Sequence, residues 1–248
     1  MEISALTRSV VKHGHALICP DGYVKSTVPG WTACTVNILI NGAMGAGFCQ
    51  TLIILSKNGR LTGKTKLSQV FFYIVNGKCS ANVGTETRTL NTCQFVYVPV
   101  NSDYLLEHAE EGTQILIFQK VYEHLEGQKT PFILFGDSAN IEGQPFLGDE
   151  ALQLKVLLPD NLSFDMAVNI FTFAPGGHLP FVETHIMEHG LLFLDGQGVY
   201  RLGENWYPVK KGDTIWMAPY CQQWFTAMGQ QPAVYIYYKN VNRHPSVL

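Results

Sequence analysis

Charged residues are scarce in this 248-residue sequence, where they account for 15% of the total. The 17 lysines and arginines are outnumbered by 20 aspartates and glutamates, so the net charge at pH 7 is −3. A protein of this composition presents no basic stripe to a phosphate backbone. Nucleic acid is therefore excluded as an expected partner.

Uninterrupted apolar runs are missing as well. The most apolar tract, residues 36–55, is broken by glycine and amide side chains such as Asn41, Gly45 and Gln50. A membrane-spanning helix requires about 20 consecutive apolar residues, so the tract predicts two strands joined by a turn, and no membrane partner. Residues 1–4 lack the charge and apolar pattern of a signal peptide, so we expect a cytoplasmic location.

The sequence contains six cysteines, but no Cys-x-x-Cys pair. Their scattered positions in mostly apolar surroundings predict buried free thiols in a reducing compartment. The six residues are Cys19, Cys34, Cys49, Cys79, Cys93 and Cys221.

Short apolar or alternating runs fill most of the chain, for example residues 95–98 and 168–173. Turn sequences separate them, and the Asn-Gly and Asp-Gly pairs at 76–77 and 195–196 are typical of tight turns between antiparallel strands. We therefore predict an all-β fold in which helix is minor.

The segment from Glu183 to His189 gathers carboxylate and imidazole side chains within seven residues. Two conformations of this segment compete. The order His185-x-x-Glu188-His189 occurs on a helix in the inverted zinc peptidases, and would make Glu188 a catalytic base. However, the flanking glycines and turn signals leave too little sequence for a helix of ordinary length, which favours a strand.

On a strand, Glu183 and His185 point to the same face, because side chains alternate with a period of two. A straight strand would carry His189 about 20 Å away from Glu183, whereas the ligands of one ion lie within a few ångströms of each other. We therefore predict that the chain turns between His185 and His189.

This spacing resembles the first motif of the cupins, in which a glycine precedes a His-x-His pair, a glutamate and a second glycine. Here Gly177 is followed by five residues, then Glu183-Thr184-His185, three residues, His189, six residues and Gly196. The spacing is kept, while the types of the end ligands are exchanged. The resemblance implies that the three side chains hold a divalent metal inside a β-barrel.

The second cupin motif places one more histidine on a later hairpin. Counted from Gly212, the corresponding residue is Gln223. The resemblance therefore implies a fourth ligand at Gln223, where a neutral carboxamide replaces the usual imidazole.

An internal repeat predicts two copies of the barrel. Residues 70–77 align with residues 189–196 at an offset of 119, since 196 − 77 = 119. The same offset aligns residues 115–120 with residues 234–239 without a gap. A single offset over this length indicates a bicupin, with two tandem barrels of the double-stranded β-helix, or jelly-roll, type.

We expect the amino-terminal barrel at residues 1–120, a connecting segment at 121–150 and a metal-binding carboxy-terminal barrel at 151–248. In the first copy, the positions equivalent to the four candidate ligands hold side chains that do not suit a divalent cation. These are Lys64, Lys66, Val70 and Tyr104, so the amino-terminal barrel is expected to be structural or to form oligomers.

The candidate ligands form a mixed nitrogen and oxygen set without thiolate, which suits an octahedral ion such as Mn²⁺ or Fe²⁺. Closed structural zinc sites favour cysteine and histidine. Two histidines and one carboxylate also match the facial triad of iron oxygenases, so an Fe(II)-dependent oxygenase acting on a small carboxylate is an alternative. Gln223 favours non-redox Lewis-acid chemistry, because it fills a position that oxygen chemistry requires to be open.

A closer resemblance, to the (S)-ureidoglycine aminohydrolases of purine catabolism, runs along nearly the whole chain. Its most specific parts are the Glu-x-His-x-x-x-His segment and the stretch from His189 to Pro219. The similar stretches are residues 11–14, 20–25, 183–185, 189–209, 212–219 and 238–243.

This resemblance implies Mn²⁺-assisted release of ammonia from (S)-ureidoglycine to give (S)-ureidoglycolate. We expect Lys239 to offset the negative charge of the substrate, and Glu183 to move protons between water and the departing amine. The implied metal ligands are Glu183, His185, His189 and Gln223, and the implied substrate-binding residues are Tyr200, Tyr235 and Lys239.

Two further expectations follow from the resemblance. Cupins of this size commonly self-associate, so we expect a homo-oligomer that acts on a small ureide. Plant relatives are routed to the endoplasmic reticulum, which stays an alternative location if a presequence is missing. A binding bicupin without catalysis is the third class of function that the sequence leaves open.

Overall fold

The computed structural model describes residues 7–244. Within this range the chain forms 21 strands and three short 3₁₀ turns, with no α-helix, so the predicted all-β fold is confirmed. No helix in the same range is long and apolar enough to cross a membrane. Residues 1–4, on which the expectation about a signal peptide rests, lie outside the described residues.

The strands have the following bounds, in chain order. The first twelve are β1 (Val10–Lys12), β2 (His15–Ile18), β3 (Lys25–Ser26), β4 (Trp31–Ile40), β5 (Cys49–Lys64), β6 (Ser68–Asn76), β7 (Lys78–Val83), β8 (Glu86–Asn91), β9 (Gln94–Val98), β10 (Asp103–Glu107), β11 (Thr113–Val121) and β12 (Leu134–Asp137). The other nine are β13 (Gln144–Phe146), β14 (Asp149–Val156), β15 (Met166–Phe173), β16 (His189–Asp195), β17 (Gln197–Leu202), β18 (Asn205–Lys210), β19 (Thr214–Met217), β20 (Gln223–Ala227) and β21 (Ala233–Asn240). The 3₁₀ turns are Pro20–Gly22, Gly42–Met44 and Ser138–Asn140.

The strands group into two compact units. The unit that we call the carboxy-terminal barrel contains β1, β2 and β13 to β21, in an eight-stranded sheet of order β1-β2-β19-β16-β21-β15-β14-β13 and a three-stranded sheet of order β18-β17-β20. The unit that we call the amino-terminal barrel contains β3 to β12, in a sheet of order β12-β9-β6-β11-β5-β10-β7-β8. In the same sheet β3 pairs with β4, and β4 pairs with β5.

The predicted repeat is present in the strand boundaries. Strand β7 at Lys78–Val83 corresponds to β17 at Gln197–Leu202, and 197 − 78 = 119. Strand β8 at Glu86–Asn91 corresponds to β18 at Asn205–Lys210 with the same offset. Strands β7 and β8 form a hairpin that pairs with β10, and β17 and β18 form a hairpin that pairs with β20, the equivalent strand.

The predicted gapless alignment is wrong by one residue in the last strand. In the amino-terminal barrel Val70 pairs with Gln119, and in the carboxy-terminal barrel His189 pairs with Lys239. The offset between the two copies is therefore 119 for Val70 and His189, but 239 − 119 = 120 for Gln119 and Lys239. The connection before the last strand is one residue longer in the second copy, so Lys239 corresponds to Gln119 and not to Lys120.

Each barrel contains strands from an unexpected part of the chain, since β1, β2 and β13 belong to the carboxy-terminal barrel and β12 to the amino-terminal one. Strand β2 precedes the amino-terminal barrel in sequence but pairs with β19, and β12 lies in the expected connecting segment 121–150 but pairs with β9. The units therefore differ from the sequential division into 1–120, 121–150 and 151–248. The exposed edges of β9 and β19 each require a partner strand, and a strand's own sequence does not specify which edge it joins.

The interior of the amino-terminal barrel is filled mainly by aliphatic side chains, including Ile53, Ile74 and Ile117. Val70, the counterpart of His189, is 3% exposed and packs in this core. By contrast, the interior of the carboxy-terminal barrel is rich in aromatic rings, such as those of Phe173 and Phe225, whose centroids are 4.8 Å apart.

A buried ion pair lies in the amino-terminal unit. The Lys120 ammonium is 2.7 Å from Asp165 Oδ2, and the two side chains are 5% and 0% exposed. Asp165 also accepts hydrogen bonds from the backbone N–H of Glu123 and from the side chain of Gln69, which in turn accepts one from the Tyr97 hydroxyl. These bonds attach the segment before β15 to β6, β9 and β11.

We predict that Asp165→Asn lowers the free energy of unfolding by about 3 kcal/mol, because it leaves the Lys120 ammonium buried beside a neutral group. This value is at the lower end for a broken buried pair, since Glu123 also lies 3.1 Å from the ammonium. Urea unfolding followed by circular dichroism measures the change. Asp103→Asn is the matched control, because Asp103 and Lys64 form an exposed pair whose loss costs less than about 1 kcal/mol. Equal losses in the two variants would contradict the prediction.

Candidate active site

The predicted ligand segment is extended and not helical. Residues 183, 185 and 187 are partly buried while 184 and 186 are exposed, which is the predicted alternation of a strand. The backbone then bends at Ile186 before β16 begins at His189. The expected turn between His185 and His189 is therefore present, and the helical arrangement of the inverted zinc peptidases is not.

Two backbone hydrogen bonds fix this segment beside β20. The Glu183 N–H donates to the Gln223 carbonyl oxygen at 2.8 Å, and the Gln223 N–H donates to the Glu183 carbonyl oxygen at 2.9 Å. Residues that face each other in an antiparallel pair project their side chains to the same side. The carboxylate and the carboxamide, which are 40 residues apart in sequence (223 − 183), are thus brought to one face.

Three of the candidate ligands converge closely. The Nε2 atoms of His185 and His189 are 3.2 Å apart, and Gln223 Nε2 is 3.1 Å from His185 Nε2. The amide oxygen and nitrogen of Gln223 exchange places on rotation of the amide by 180°, so its oxygen can take the same position. The two imidazole rings are stacked, with centroids 4.8 Å apart and planes inclined by 29°.

Both imidazoles can donate a nitrogen lone pair to a metal ion. His185 Nδ1 is 3.1 Å from the Met187 carbonyl oxygen, which requires a proton on Nδ1 and leaves Nε2 bare. Burial lowers the pKa of His185, and burial together with the charge that His185 can carry lowers the pKa of His189 well below its ordinary value. The two rings are therefore neutral at pH 7, as metal ligation requires.

These side chains line a cavity of about 130 Å³ in the carboxy-terminal barrel. Apolar and aromatic groups form most of its wall, and a few polar groups project into it, which is the usual composition of a small-molecule site. Its lining comprises Phe146, Phe171, Glu183, His185, Met187, His189, Leu191, Tyr200, Gln223, Tyr235, Tyr237 and Lys239.

The remaining predicted site residues lie in the same cavity. The Tyr200 hydroxyl is 3.4 Å from Gln223 Oε1, and burial raises the pKa of Tyr200 and of Tyr235 so that both phenols stay protonated. Burial also raises the pKa of Glu183, although the positive charge of Lys239 acts in the opposite direction. Lys239 itself forms no ion pair with any residue in the described range 7–244.

The donor set fits a divalent cation in its chemistry and in part of its geometry. His185 Nε2 lies 3.2 Å from His189 Nε2 and 3.1 Å from Gln223 Nε2, and a cation there would replace these hydrogen bonds with coordination by side-chain lone pairs. Glu183 lines the same cavity, but across residues 7–244 no three histidine, cysteine, aspartate or glutamate side chains are clustered closely enough to hold a metal. The ligand role of Glu183 therefore stays a prediction.

Other residues of the cavity were not predicted from the sequence. Tyr237, which stacks on His189, lies midway between Tyr235 and Lys239 on the same strand, so period-two alternation was a usable signal for it. Phe146 and Phe171 carried no signal, since apolar residues on strands usually only pack. Glu188 is 6% exposed and accepts a hydrogen bond from Trp216 Nε1 at 3.5 Å, outside the cavity lining.

Comparisons with known proteins agree with this architecture. Residues 169–238 match the model of the cupin domain family. A crystal structure of protein Ylba from Escherichia coli superimposes with a TM-score of 0.88 and 35% sequence identity, and the match covers 97% of each chain. The fold of the present chain and the arrangement of side chains in the cavity of its carboxy-terminal barrel define a cupin with two barrels.

Relatives with established names give the family. (S)-ureidoglycine aminohydrolase of Arabidopsis thaliana is 35% identical over 98% of this chain and 81% of its own length. The enzyme of the same name from Escherichia coli strain K12 is 37% identical over 95% of this chain and 92% of its own length. The chain belongs to the (S)-ureidoglycine aminohydrolase family, and is thus a hydrolase of non-peptide carbon–nitrogen bonds.

We predict that the metal-free protein loses stability as the pH falls from about 7.5 to about 5.5. An unfolded histidine takes up a proton near pH 6.5, whereas the folded His185 and His189, with lowered pKa values, do not. The unfolded state then binds more protons, and each such proton contributes a slope of up to about 1.4 kcal/mol per pH unit. Urea unfolding at several pH values measures the slope.

The variant His189→Gln should have a shallower slope, since one of these groups is removed. His108→Gln is the matched control, because the His108 side chain is 78% exposed, and it should leave the slope unchanged. Burial also lowers the pKa of His15, which contributes equally in all three proteins. A stability that is constant or rises on acidification would contradict the prediction.

Proposed function

We propose that this protein catalyses the Mn²⁺-dependent hydrolysis of (S)-ureidoglycine to (S)-ureidoglycolate and ammonia, within the breakdown of purine-derived ureides. The observation that supports this most directly is the convergence of His185, His189 and Gln223 in a cavity that also contains Lys239, for which residues 7–244 provide no ion-pair partner. Family membership supplies the substrate, since the relatives carry the name of this activity.

The proposed metal ligands are Glu183, His185, His189 and Gln223. A bound Mn²⁺ supplies Lewis acidity, which polarises a coordinated group and stabilises negative charge without redox chemistry. Neutral imidazoles, a carboxamide and one carboxylate form a mixed nitrogen and oxygen set, which suits Mn²⁺ better than the thiolate-rich sets of structural zinc. Fe²⁺ fits the same set and is the alternative metal.

Lys239 is proposed to bind the substrate carboxylate. It pairs with His189 across the sheet, so its ammonium lies at the same end of the barrel as the imidazoles. Within residues 7–244 no carboxylate lies within ion-pair distance of it, and a partly buried ammonium without a partner is suited to an anionic ligand.

Glu183 is proposed to move the protons of the reaction. Hydrolysis breaks the bond between the α-carbon and the amino group and forms a bond to a water oxygen, so one proton must pass from water to the departing amine. Burial raises the pKa of Glu183 above its ordinary value, although the charge of Lys239 acts against this, and a carboxyl group held in the site can both accept and release a proton.

Tyr200 and Tyr235 are proposed to form the side walls of the substrate pocket. Both phenols stay protonated, so each offers a hydrogen-bond donor without adding negative charge beside the substrate. A cavity of about 130 Å³ holds only a small molecule, which is consistent with a ureide. Fixed walls together with the Lys239 contact would select one enantiomer.

Two wider expectations also stay proposals. The amino-terminal barrel, in which lysine, valine and tyrosine side chains replace the candidate ligands, is proposed to serve structure or self-association. A homo-oligomer is proposed on the same basis, and light scattering of the purified protein measures its mass.

We predict that Glu183→Gln abolishes ammonia release, lowering kcat at least about 100-fold, because a carboxamide cannot carry the proton. Freshly generated ureidoglycine and an ammonia assay measure the effect, while elemental analysis reports the metal content. Glu188→Gln is the matched control: it is a nearby buried carboxylate outside the cavity and should keep kcat within about tenfold. Equal effects of the two changes would contradict the role of Glu183.

We also predict that chelation of the metal removes activity and that Mn²⁺ restores it in oxygen-free buffer, since hydrolysis consumes no O₂. The ammonia assay under nitrogen measures this. Activity that required O₂ would favour the oxygenase alternative, and binding of ureidoglycine without turnover would favour a binding bicupin.

A further inference from the structure

A column of four aromatic rings runs beside the candidate metal ligands. Tyr237 is stacked on His189, with centroids 5.5 Å apart and planes inclined by 14°. Tyr237 is also stacked on Phe171 at 5.8 Å and 13°, and His189 is stacked on His185 at 4.8 Å and 29°. The two imidazoles thus form one end of a continuous stack.

The orientation of Tyr237 is itself fixed by a buried hydrogen bond. Asn169, on β15, donates from Nδ2 to the Tyr237 hydroxyl oxygen at 3.1 Å, and the two residues are 4% and 5% exposed. Asn169 Oδ1 has no hydrogen-bond partner among residues 7–244. A buried amide with one unpaired atom destabilises a fold, so its presence beside the site indicates a role other than stability.

The amino-terminal barrel lacks this arrangement at the corresponding positions. Val70 takes the place of His189, and Ile117, which is 120 residues before Tyr237, takes the place of the tyrosine. Both aliphatic side chains are buried in the core, so the barrel does not need an aromatic ring there in order to pack. The tyrosine occurs in the copy that has an imidazole to orient.

We propose that Tyr237 is a positioning residue: its ring holds the plane of the His189 imidazole so that Nε2 points at His185 Nε2, and Asn169 holds the plane of Tyr237. The proposal rests on the proposed function in that it takes His189 as a metal ligand. Residues that orient the ligands of a metal commonly change its affinity by about 10- to 100-fold when they are removed.

The experiment compares three variants with the unaltered full-length protein. Tyr237→Leu removes the ring, and Tyr237→Phe keeps the ring and loses the bond to Asn169. Phe173→Leu removes another buried ring of the same core, which packs against Phe171 at an inclination of 42° and is stacked on neither histidine. The first readout is the Kd of Mn²⁺. The second is the ¹⁵N spectrum of the histidine ring nitrogens in the metal-free protein.

We expect Tyr237→Leu to weaken Mn²⁺ binding about 10- to 100-fold and to shift or split the His189 ring signals. Tyr237→Phe keeps the ring but frees it from Asn169, so it should weaken Mn²⁺ binding less than about tenfold and shift the His189 signals in the same direction. Phe173→Leu should leave both readouts unchanged. Unaltered Mn²⁺ binding in Tyr237→Leu, or an equal loss in Phe173→Leu, would overturn the proposal, since the tyrosine would then only pack.

A replacement variant and a separate activity measurement distinguish the possible outcomes. If Tyr237→Leu does not fold, Asn169→Leu replaces it, with the expectation that the freed Tyr237 ring alters the His189 signals; unaltered signals would overturn the proposal. Failure of the proposed function would appear differently, as an unaltered protein that binds Mn²⁺ but releases no ammonia from ureidoglycine. The ring spectra of the metal-free protein do not depend on that result.

Discussion

The pair of backbone hydrogen bonds between Glu183 and Gln223 is the constraint on which the site depends. These bonds attach an irregular segment to a regular strand, and a strand of the barrel wall is a more rigid support than a loop. Once Glu183 is fixed, the alternation of an extended chain places His185 on the same face, and the bend at Ile186 returns the chain to β16. The site is thus assembled by pairing of main-chain groups, before any side chain binds a ligand.

Much of this was predictable from the residues, because local geometry determines it. The period of two on a strand placed Glu183 and His185 together, and the short distance between ligands of one ion required the turn before His189. The turn signals at 76–77 and 195–196 marked the ends of equivalent strands, since tight hairpins require residues that tolerate a positive φ, and Gly77 and Gly196 adopt φ of 84° and 73°.

Three features were not predictable, for different physical reasons. The connection before β21 contains one additional residue, which shifts the alignment of the last strands by one position, so Lys239 corresponds to Gln119. Because side chains alternate between the two faces of a strand, the gapless alignment compared residues that point to opposite faces. The pairing of β2 with β19 depends on which free edge is near, which a strand's own sequence does not encode. The stack of Tyr237 on His189 depends on the side-chain rotamers of two residues on different strands. An aromatic residue on a strand usually only packs, so the sequence gives no signal for this contact.

The position of β2 has a consequence for synthesis on the ribosome. His15 lies opposite Met217, and 217 − 15 = 202 residues separate the two partners. On the ribosome β2 therefore emerges well before β19, the strand with which it pairs. During that interval the edge of β2 that pairs with β19 lacks its native partner, although β1 can pair with the other edge. The nascent chain then exposes an edge to which molecular chaperones, or another nascent copy, can bind.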